Sequence, residues 1–305
     1  MARPALAASR AIDILNFMAA SPLRGYSLTE LVRHLDLNPA SCHALLGAMT
    51  RDGYLVRAQR GRTYRLGPAL IAIGHAALQC HPVVAAARDQ IARMSAELDL
   101  DSLLTARLDD RLIALASEGP GRMPGLRIGQ RVPLIPPLGT PFLAWADKQE
   151  VDNWLGRAAG SIEPDRLRQS LAMVRQRGYA VTRRSPQQGA ASLAVLGMAE
   201  EPLADDRQQR AAELIGQMGE DYLMIEAQAD RVHQVDLISA PIFGPDGAVL
   251  CTLSLFGFDR PMSLSRIAAL GEAVGRHCRA AMENAAGPGK PTEMNDGVGE
   301  AECVR

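Results

Sequence analysis

The chain has 305 residues, of which 47% are hydrophobic and 22% are charged, and its net charge of −1 excludes a uniformly basic nucleic-acid binder. No apolar run approaches the ~18 residues of a transmembrane helix, and the N-terminus lacks a secretory pattern, so we expect a cytoplasmic protein. Five cysteines without a C-x-x-C pair argue against a disulfide framework.

Positive charge is concentrated in the first part of the chain. Residues 1–80 contain nine arginines and four acidic residues, a net +5, which leaves −6 for residues 81–305. Five of the nine arginines lie between positions 51 and 65. This asymmetry favours an anionic partner for the basic part, although a solvated basic face without a partner explains the charge equally well.

The first predicted elements are two helices. Ser9 can cap a first helix that ends near residues 21–22. The apolar positions of this first helix are Ile12, Leu15 and Met18. The capping-box spacing of Ser27 and Glu30 predicts a second, short helix. Its apolar positions are Leu31 and Leu35.

A third helix follows closely. Asn38 is a good N-cap, Pro39 suits the first helical position, and residues 52–53 end the helix. Its expected buried residues are Leu45, Leu46 and Met49. Two short helices separated by about three residues form the helix-turn-helix motif, whose second helix enters the major groove of DNA. The candidate contacts on that helix are Pro39, Ala40, Ser41, His43 and Ala44.

A basic hairpin comes next, with strands over 54–58 and 62–66 and a turn in which Gly61 suits a positive φ. A hairpin after a recognition helix is a wing, and its arginines would lie along the DNA backbone or in the minor groove. The remaining candidate DNA contacts are Ser27, Thr29, Arg51, Arg57, Arg60, Arg62, Thr63 and Arg65. The alternative is a small α/β domain whose charged edge residues discourage strand pairing.

Several segments together resemble the isocitrate lyase regulator (IclR) family of transcriptional regulators. The segments are 9–15, 27–31, 41–46, 52–55 and 64–68, and 70–74 continues into a linker helix. The resemblance implies a winged helix-turn-helix that binds double-stranded DNA. The family usually has Arg at the position of Ala44 and Thr at that of Ser41, and the missing guanidinium would alter which bases are read.

The expected organisation is α+β, with an N-terminal winged helix-turn-helix domain and a C-terminal GAF-like effector-binding domain joined by a linker helix. The expected ranges are 1–67 for the DNA-binding domain, 68–82 for the linker helix, 83–285 for the effector-binding domain and 286–305 for a disordered tail. The linker helix is too apolar for a free linker. In the family it contributes to dimerisation, while packing within its own chain is the alternative.

The second domain combines helices with antiparallel strands, which is typical of an α+β domain. Helices are expected over 83–98, 140–157, 164–177, 203–219 and 264–284. Strands are expected over 102–108, 112–117, 179–182, 235–243 and 248–256. The segments 138–144, 177–181, 239–247 and 253–257 resemble the GAF-like effector domain of the family.

The resemblance implies a small-molecule site between the sheet and its loops. The positions that carry over are Leu138, Gly139, Thr140, Val235, Leu237, Ser239, Ser254 and Phe256. A glycine N–H and a hydroxyl can hold a carboxylate or carbonyl between apolar walls. The chain departs from the family in the basic pair Arg183 and Arg184, in a segment around 190–235, and in Phe256, which replaces a second serine. A domain that serves only oligomerisation is the alternative.

We find no catalytic or metal-binding pattern. Six histidines and five cysteines show no zinc-ligand spacing, H-E-x-x-H or G-x-S-x-G motif. We therefore expect a regulator rather than an enzyme, without a cofactor, that acts as a homodimer or dimer of dimers on an operator duplex and responds to a small organic effector. The alternative is a sensor or enzyme-derived domain whose N-terminal module binds a protein partner.

Overall fold

The computed structural model describes residues 5–60, 62–122, 127–158, 162–184, 213–215, 223–224 and 231–286. The N-terminal elements are α1 (Leu6–Ala19), β1 (Tyr26–Ser27), α2 (Leu28–His34), α3 (Pro39–Arg51), β2 (Leu55–Arg57) and β3 (Thr63–Leu66). β3 lies between β1 and β2, and both pairings are antiparallel. The helices and the small sheet enclose one core, which includes Ile14, Leu31, Leu46 and Leu55. The predicted winged helix-turn-helix fold is confirmed.

Local capping fixes the two helices of the motif, as predicted. The Ser27 hydroxyl accepts from the Glu30 backbone N–H, and the Glu30 carboxylate accepts from the Ser27 backbone N–H at 2.8 Å. The Asn38 side-chain oxygen accepts from the backbone N–H groups of Ala40 and Ser41 at 3.0 and 3.3 Å. Both caps satisfy N–H groups that have no partner inside the helix, so the helices begin at defined residues.

The expectation for the first helix is wrong for its cap, Ser9, and for one of its three apolar positions, Ile12. Ser9 lies inside α1, whose N-cap is Ala5 and has no side-chain cap. The buried residues of α1 are Ile14, Phe17 and Met18, whereas Ile12 is 53% exposed. Apolar residues lie on two faces of this helix, and both sets have the spacing of an amphipathic helix. Contact with the other helices determines which of the two faces is buried.

A helical connection follows the small sheet. α4 (Ala69–Cys80) contains no buried residue, and α5 (Pro82–Leu98) follows it at a bend of 105°. Within the described part of the chain, no single helix is long and apolar enough to cross a bilayer, although the bent pair reaches that length and apolarity together. The linker helix expected over 68–82 is present up to Cys80, and packing within its own chain does not bury its apolar residues.

The C-terminal part of the chain is built on a second sheet, which has six strands within the described ranges in the order β6-β5-β4-β9-β8-β7. All neighbours are antiparallel. The strands are β4 (Asp101–Leu108), β5 (Arg111–Glu118), β6 (Arg131–Pro133), β7 (Ala180–Arg183), β8 (Val235–Phe243) and β9 (Val249–Phe256). The helices are α6 (Thr140–Leu143), α7 (Lys148–Leu155), α8 (Pro164–Arg177) and α9 (Leu264–Ala286). The predicted α+β class is confirmed.

The two faces of this sheet have different neighbours. α5 and α9 cover one face through a core that includes Ile91, Leu104, Leu253 and Val274. A small cluster of Leu103, Ala114 and Phe256, with Leu237 packed against it, lies on the other face, because side chains alternate along each strand.

Two details of the second sheet's surroundings differ from the expectation. The helix predicted over 140–157 is divided into α6 and α7, because α6 ends at Leu143 and Asp147 caps a new helix by accepting from the Glu150 N–H at 2.8 Å. The short edge strand β6 was not predicted. Gly61, most of the predicted helix over 203–219, most of the segment around 190–235 and the tail beyond 286 lie outside the described residues.

Candidate DNA-contacting surface and effector site

The N-terminal half of α3 presents an exposed face. Of the five residues predicted to contact DNA on this helix, Ser41 is half-buried and the others are exposed. Cys42 and Leu46 point into the core and hold the helix on the domain. The exposed members are Pro39, Ala40, His43 and Ala44, and among these four His43 carries the polar side chain.

The wing carries exposed guanidinium groups, and its strand β2 packs next to α3. β2 and β3 pair with Leu55 opposite Leu66 and Val56 opposite Arg65, and the four predicted wing arginines are exposed. They are Arg57, Arg60, Arg62 and Arg65. The Arg57 guanidinium lies 5.7 Å from the centroid of the Tyr64 ring, which holds part of that side chain against the hairpin. Exposed arginines are among the side chains that most often hydrogen-bond to the phosphate oxygens of a duplex.

The other predicted DNA contacts differ in how exposed their side chains are and in whether those side chains already have a partner within the protein. Thr29 and Arg51 are exposed, and Arg51 Nε lies 3.4 Å from a carboxylate oxygen of Asp52. Thr63 is half-buried beside Gly25. The Ser27 hydroxyl is engaged in the capping box, where hydrogen bonds from the Ser27 backbone and hydroxyl, followed by that from Arg24, lower the pKa of Glu30 to about 2. Ser27 thus has a structural partner already.

Two serines from neighbouring strands meet on the sheet face that does not contact α5 and α9. Ser239 of β8 is directly opposite Ser254 of β9, and the Ser254 hydroxyl donates to the Ser239 hydroxyl at 2.9 Å. Leu237 and Phe256 lie one step along the same strands and pack together. The structure therefore brings four of the predicted effector contacts into one patch with a polar centre and an apolar side.

The predicted loop 138–140 lies at the start of α6. Gly139 has φ +86°, in the left-handed region, and a Cβ there would lie 2.1 Å from Leu134 Cδ1. Trp154 Nε1 donates to the Leu138 carbonyl oxygen at 3.1 Å, and the Thr140 side chain is buried. The loop is thus held by contacts behind it, and a larger residue at Gly139 would displace it.

One predicted effector contact lies elsewhere. Val235 is fully buried in the core against α5 and α9, with Ile238 and Ala240 as members of the same cluster. The register shift between Thr182 and Arg183 in the pairing of β7 with β8 interrupts the alternation at this end of β8. Strict alternation from Ser239 would place Val235 on the face of the two serines, so the register shift explains why this position, expected from the family resemblance, lies in the other core.

The same sheet face contains polar residues that the sequence analysis missed. Thr252 is opposite Thr105, and Asp101 is opposite Phe256, one strand away from the serine pair. Thr182 is opposite Leu237, and its buried hydroxyl has no hydrogen-bond partner. Alternation along β9 from Ser254 would have identified Thr252, whereas the strand order was needed to find the others.

A cavity of about 280 Å³ opens behind the loop, next to α7. Its lining includes Leu134 and Leu143, which lie next to Gly139, together with Trp154 and an ion pair between Arg107 and Glu150. The lining is polar with charges of both signs. No group of three potential metal ligands occurs in the ranges that the structure describes.

Comparison with known proteins places these features in a family. Residues 7–59 match the IclR helix-turn-helix domain, and residues 75–201 match the bacterial transcriptional regulator IclR C-terminal domain. The Pca regulon regulatory protein of Pseudomonas putida is 27% identical over 183 residues, which are 56% of this chain and 62% of that protein. The chain thus aligns with less than two thirds of the length of this curated relative.

Solved structures show the same fold over nearly the whole chain. An IclR transcriptional regulator from Alicyclobacillus acidocaldarius superposes with a TM-score of 0.60 at 22% identity and covers 93% of this chain and 97% of its own. An IclR homologue from Microbacterium hydrocarbonoxydans, crystallised in complex with 4-hydroxybenzoate, gives 0.60 at 16% identity and covers 92% and 99%. The two family matches together span more than half of the 305 residues. The chain belongs to the IclR family of transcriptional regulators.

Proposed function

We propose that the protein is a homodimer or dimer of dimers that binds an operator duplex, and that a small organic effector changes its affinity for that DNA. The observation that carries the proposal is the surface formed by the exposed half of α3 and the arginine-bearing hairpin of β2 and β3. In a winged helix-turn-helix the helix reads base edges in the major groove, while the wing contacts phosphates or the minor groove. No step of this function is catalytic, needs a metal or needs a cofactor, and the proposed place of action is the cytoplasm.

Individual residues receive distinct proposed roles in DNA binding. His43 and Ser41 would hydrogen-bond to a base or a phosphate, and Ala40 and Ala44 would allow a close approach or contact a thymine methyl group. Thr29, Arg51, Thr63 and the four wing arginines would position the domain on the backbone. The positive end of α3, where Asn38 caps the helix, favours a phosphate as well.

Salt dependence tests the DNA-binding role. The duplex is first selected from genomic DNA, and its affinity is then measured at several salt concentrations. We expect log K to fall steeply with log salt, because bound counterions are released, and each phosphate that the protein neutralises adds about 0.9 to the slope. Replacing Arg60, Arg62 and Arg65 with Ala should make the slope shallower.

A matched triple variant provides the control. Arg88, Arg93 and Arg260 are exposed and lie outside the N-terminal domain, so their replacement with Ala removes the same charge without removing the proposed contacts. The control should keep the slope of the unmodified protein. A salt-insensitive complex, or equal slopes for the two triple variants, would refute the assignment of the wing to DNA.

Dimerisation is proposed from the exposed apolar helix surfaces. Every residue of α4 is exposed or half-buried, with Ile71 at 75% and Ile73 at 48% exposure. α1 adds Leu6 at 65% and Ile12 at 53% exposure. Several large apolar side chains exposed on the surface of a domain are typical of a protein interface. A second copy of the chain is the partner that two operator half-sites require.

Sedimentation equilibrium tests the dimer. The double variant Ile71→Ser and Ile73→Ser should shift the protein towards the monomer, because it removes apolar area from the proposed interface. Val232→Ser is the control, since Val232 is 64% exposed but lies outside α1 and α4. A dimer of undiminished stability in the double variant would exclude α4 as its interface.

The effector is proposed to bind on the sheet face that contains the paired serines. Contacts from the loop 138–140 and from Leu237, Ser239, Ser254 and Phe256 would combine hydrogen bonding with an apolar wall, as small-molecule sites generally do. A ligand changes DNA affinity only as far as it binds two arrangements of the dimer with different affinity. Such a ligand would change the distance between the two recognition helices, which must match half-sites about 34 Å or a multiple of that apart.

Calorimetry of the full-length protein tests the effector site. 4-Hydroxybenzoate, present in the structure of the fold relative from Microbacterium hydrocarbonoxydans, is the first probe, followed by other small organic acids and aromatics. A binder should lose affinity in Gly139→Leu, because the added side chain would collide with Leu134. Absence of binding heat across the library with folded protein would remove support for the sensor role.

A further inference from the structure

A tight turn of the C-terminal domain is held rigidly at the edge of the second sheet. The backbone N–H of Arg127 donates to the buried side-chain oxygen of Gln130 at 2.9 Å, and the Gln130 N–H donates to the Arg127 carbonyl oxygen at 2.8 Å. Gly129 N–H donates to the Ala114 carbonyl oxygen at 2.7 Å, and Ala114 N–H donates to the Gln130 carbonyl oxygen at 3.1 Å. Two backbone hydrogen bonds, one donated by the turn and one donated by β5, therefore hold turn 127–130 against that strand.

This turn contacts the end of the first helix of the DNA-binding domain. Arg127 Nη1 donates to the Ala20 carbonyl oxygen at 3.2 Å and to the Ser21 hydroxyl at 3.0 Å. A cation at this place is favourable because the last carbonyl groups of a helix carry its negative end. Gly129 lies against Ala19, since a Cβ at Gly129 would be 3.7 Å from Ala19 Cβ. Side chain and backbone of the turn thus meet the same helix end.

A second charge lies across the same boundary between the domains. Asp13 is half-buried on α1, and burial raises the pKa of its carboxyl while the nearby Arg131 guanidinium lowers it. The Nε atom of Arg131 is buried and has no hydrogen-bond partner. Arg131 begins β6, directly after the turn. Two arginines four residues apart therefore face α1 from one segment of the C-terminal domain.

The segment that carries these arginines continues into the predicted effector loop. β6 pairs with β5, and Leu134, one residue beyond β6, packs directly against Gly139. The chain between Arg131 and Gly139 is mostly buried. A displacement of loop 138–140 would therefore be transmitted along a short, packed stretch to the turn, because close-packed segments move as units.

We infer that turn 127–130 is an interdomain clamp, in which Arg127 fixes the DNA-binding domain in one orientation and couples that orientation to loop 138–140. The inference rests on the proposed function only for its effect on DNA affinity. The exposed faces of α3 and of the wing remain free in the clamped arrangement. The clamp therefore holds an orientation that can bind DNA, and its removal should weaken binding because the domains must then be ordered when the complex forms.

Hydrogen–deuterium exchange of the full-length, DNA-free protein tests the contact without reference to function. In Arg127→Ala, the amides at the end of α1 should exchange faster, by about two- to tenfold, which corresponds to the removal of one hydrogen-bonding group. The amides to follow are those of Ala20, Ser21 and Arg24, which bond within this helix end. Unchanged exchange would overturn the clamp.

Arg122→Ala is the matched control for this measurement. Arg122 also lies between β5 and β6, and its guanidinium pairs with Asp99 of its own domain. It should leave exchange at the end of α1 unchanged. Ser21→Ala removes one acceptor from the other side of the contact and should raise exchange less than Arg127→Ala does, because the Ala20 carbonyl oxygen still accepts. Equal effects of Arg122→Ala and Arg127→Ala would also overturn the clamp.

Operator affinity then distinguishes failure of the clamp from failure of the proposed function. Arg127→Ala should weaken binding by about two- to tenfold with an unchanged salt slope, since every phosphate remains neutralised as before. A shallower slope would mean that Arg127 itself contacts DNA, which overturns the clamp. Absence of specific binding by the unmodified protein refutes the proposed function, and the exchange experiment still decides whether the contact exists.

Discussion

The hydroxyl of Ser254 donates a hydrogen bond of 2.9 Å to the hydroxyl of Ser239, directly across β9 and β8, where both side chains are buried. The pair forms the polar centre of the proposed effector patch. Each hydroxyl satisfies part of the other's hydrogen-bonding capacity, so the pair can remain buried and still offer lone pairs to a ligand. Mutation of the two serines can therefore measure how much this hydrogen bond contributes to the free energy of unfolding.

Ser254→Ala should destabilise the protein by about 1–2 kcal/mol, because it leaves the buried Ser239 hydroxyl without this donor. Urea unfolding measures the effect. The double variant Ser239→Ala and Ser254→Ala should be less destabilised than the sum of the single variants, since neither unpaired group remains. Strict additivity would contradict a direct interaction between the two hydroxyls.

The capping box makes the stability of the N-terminal domain depend on pH in the acidic range. The pKa of Glu30 is about 2 in the folded protein, below its ordinary value of 4.5, because hydrogen bonds from Ser27 and then Arg24 favour the ionised form. The stabilisation is thus complete above pH 4.5 and is lost as the pH falls through about 2. Thermal unfolding between pH 2 and pH 5 should show this dependence.

Two variants separate the charge of the capping box from the cap itself. Glu30→Gln should lose most of the pH dependence, since an amide does not titrate in this range. Ser27→Ala should cost about 1 kcal/mol at neutral pH, the usual contribution of an N-cap residue. Equal acid sensitivity in Glu30→Gln and the unmodified protein would show that another carboxyl group is responsible.

Two glycines of the N-terminal domain should respond to alanine in opposite directions. A Cβ at Gly67 would lie 2.2 Å from the Gly53 carbonyl oxygen, a backbone atom that cannot move aside, whereas Gly47 has open space. Gly67→Ala should destabilise by at least about 2 kcal/mol. Gly47→Ala should stabilise by about 0.5–1 kcal/mol, because alanine costs less entropy inside a helix. Chemical unfolding measures both, and a tolerated Gly67→Ala would contradict the packing of β3 against residues 53–54.

The buried thiols should be unreactive in the folded protein. Cys42, Cys251 and Cys278 are buried, and burial raises the pKa of Cys251 to about 12 and that of Cys278 further. The thiolate is the reactive form, so these groups need both access and a lower pKa to react. In a Cys80→Ser and Cys303→Ser double variant, a thiol reagent should label nothing at neutral pH until the protein unfolds. Rapid labelling of the native variant would show that one of these cores opens.

The N-terminal domain was largely predictable because the interactions that set its helix ends and its hairpin join residues close in the sequence. Ser27, Asn38 and Pro39 act on backbone groups within three residues, so capping chemistry alone determined where α2 and α3 begin. The hairpin that follows also obeys a short-range pattern. α1 was the exception, since it has two apolar stripes and only contact with the rest of the domain decides that Ile14 rather than Ile12 is buried.

The predicted effector contacts, which follow from the family resemblance, show what a resemblance at single positions leaves undetermined. Ser239 and Ser254 were identified in the sequence, but their direct pairing depends on the register between β8 and β9. A register shift at the end of β8 leaves Val235 in the opposite core, and no local pattern marks that shift. Asp101 and Thr182 belong to the same face only because of the strand order.

The sequence by itself determined a basic helix-turn-helix with a wing, because caps, turns and charge act over a few residues. Tertiary structure alone decided how that domain is held, since Arg127 and Ser21 are 106 positions apart and no periodicity or motif relates them. Contacts of this kind arise when folded elements meet, and they depend on the shape of both domains rather than on the properties of either segment.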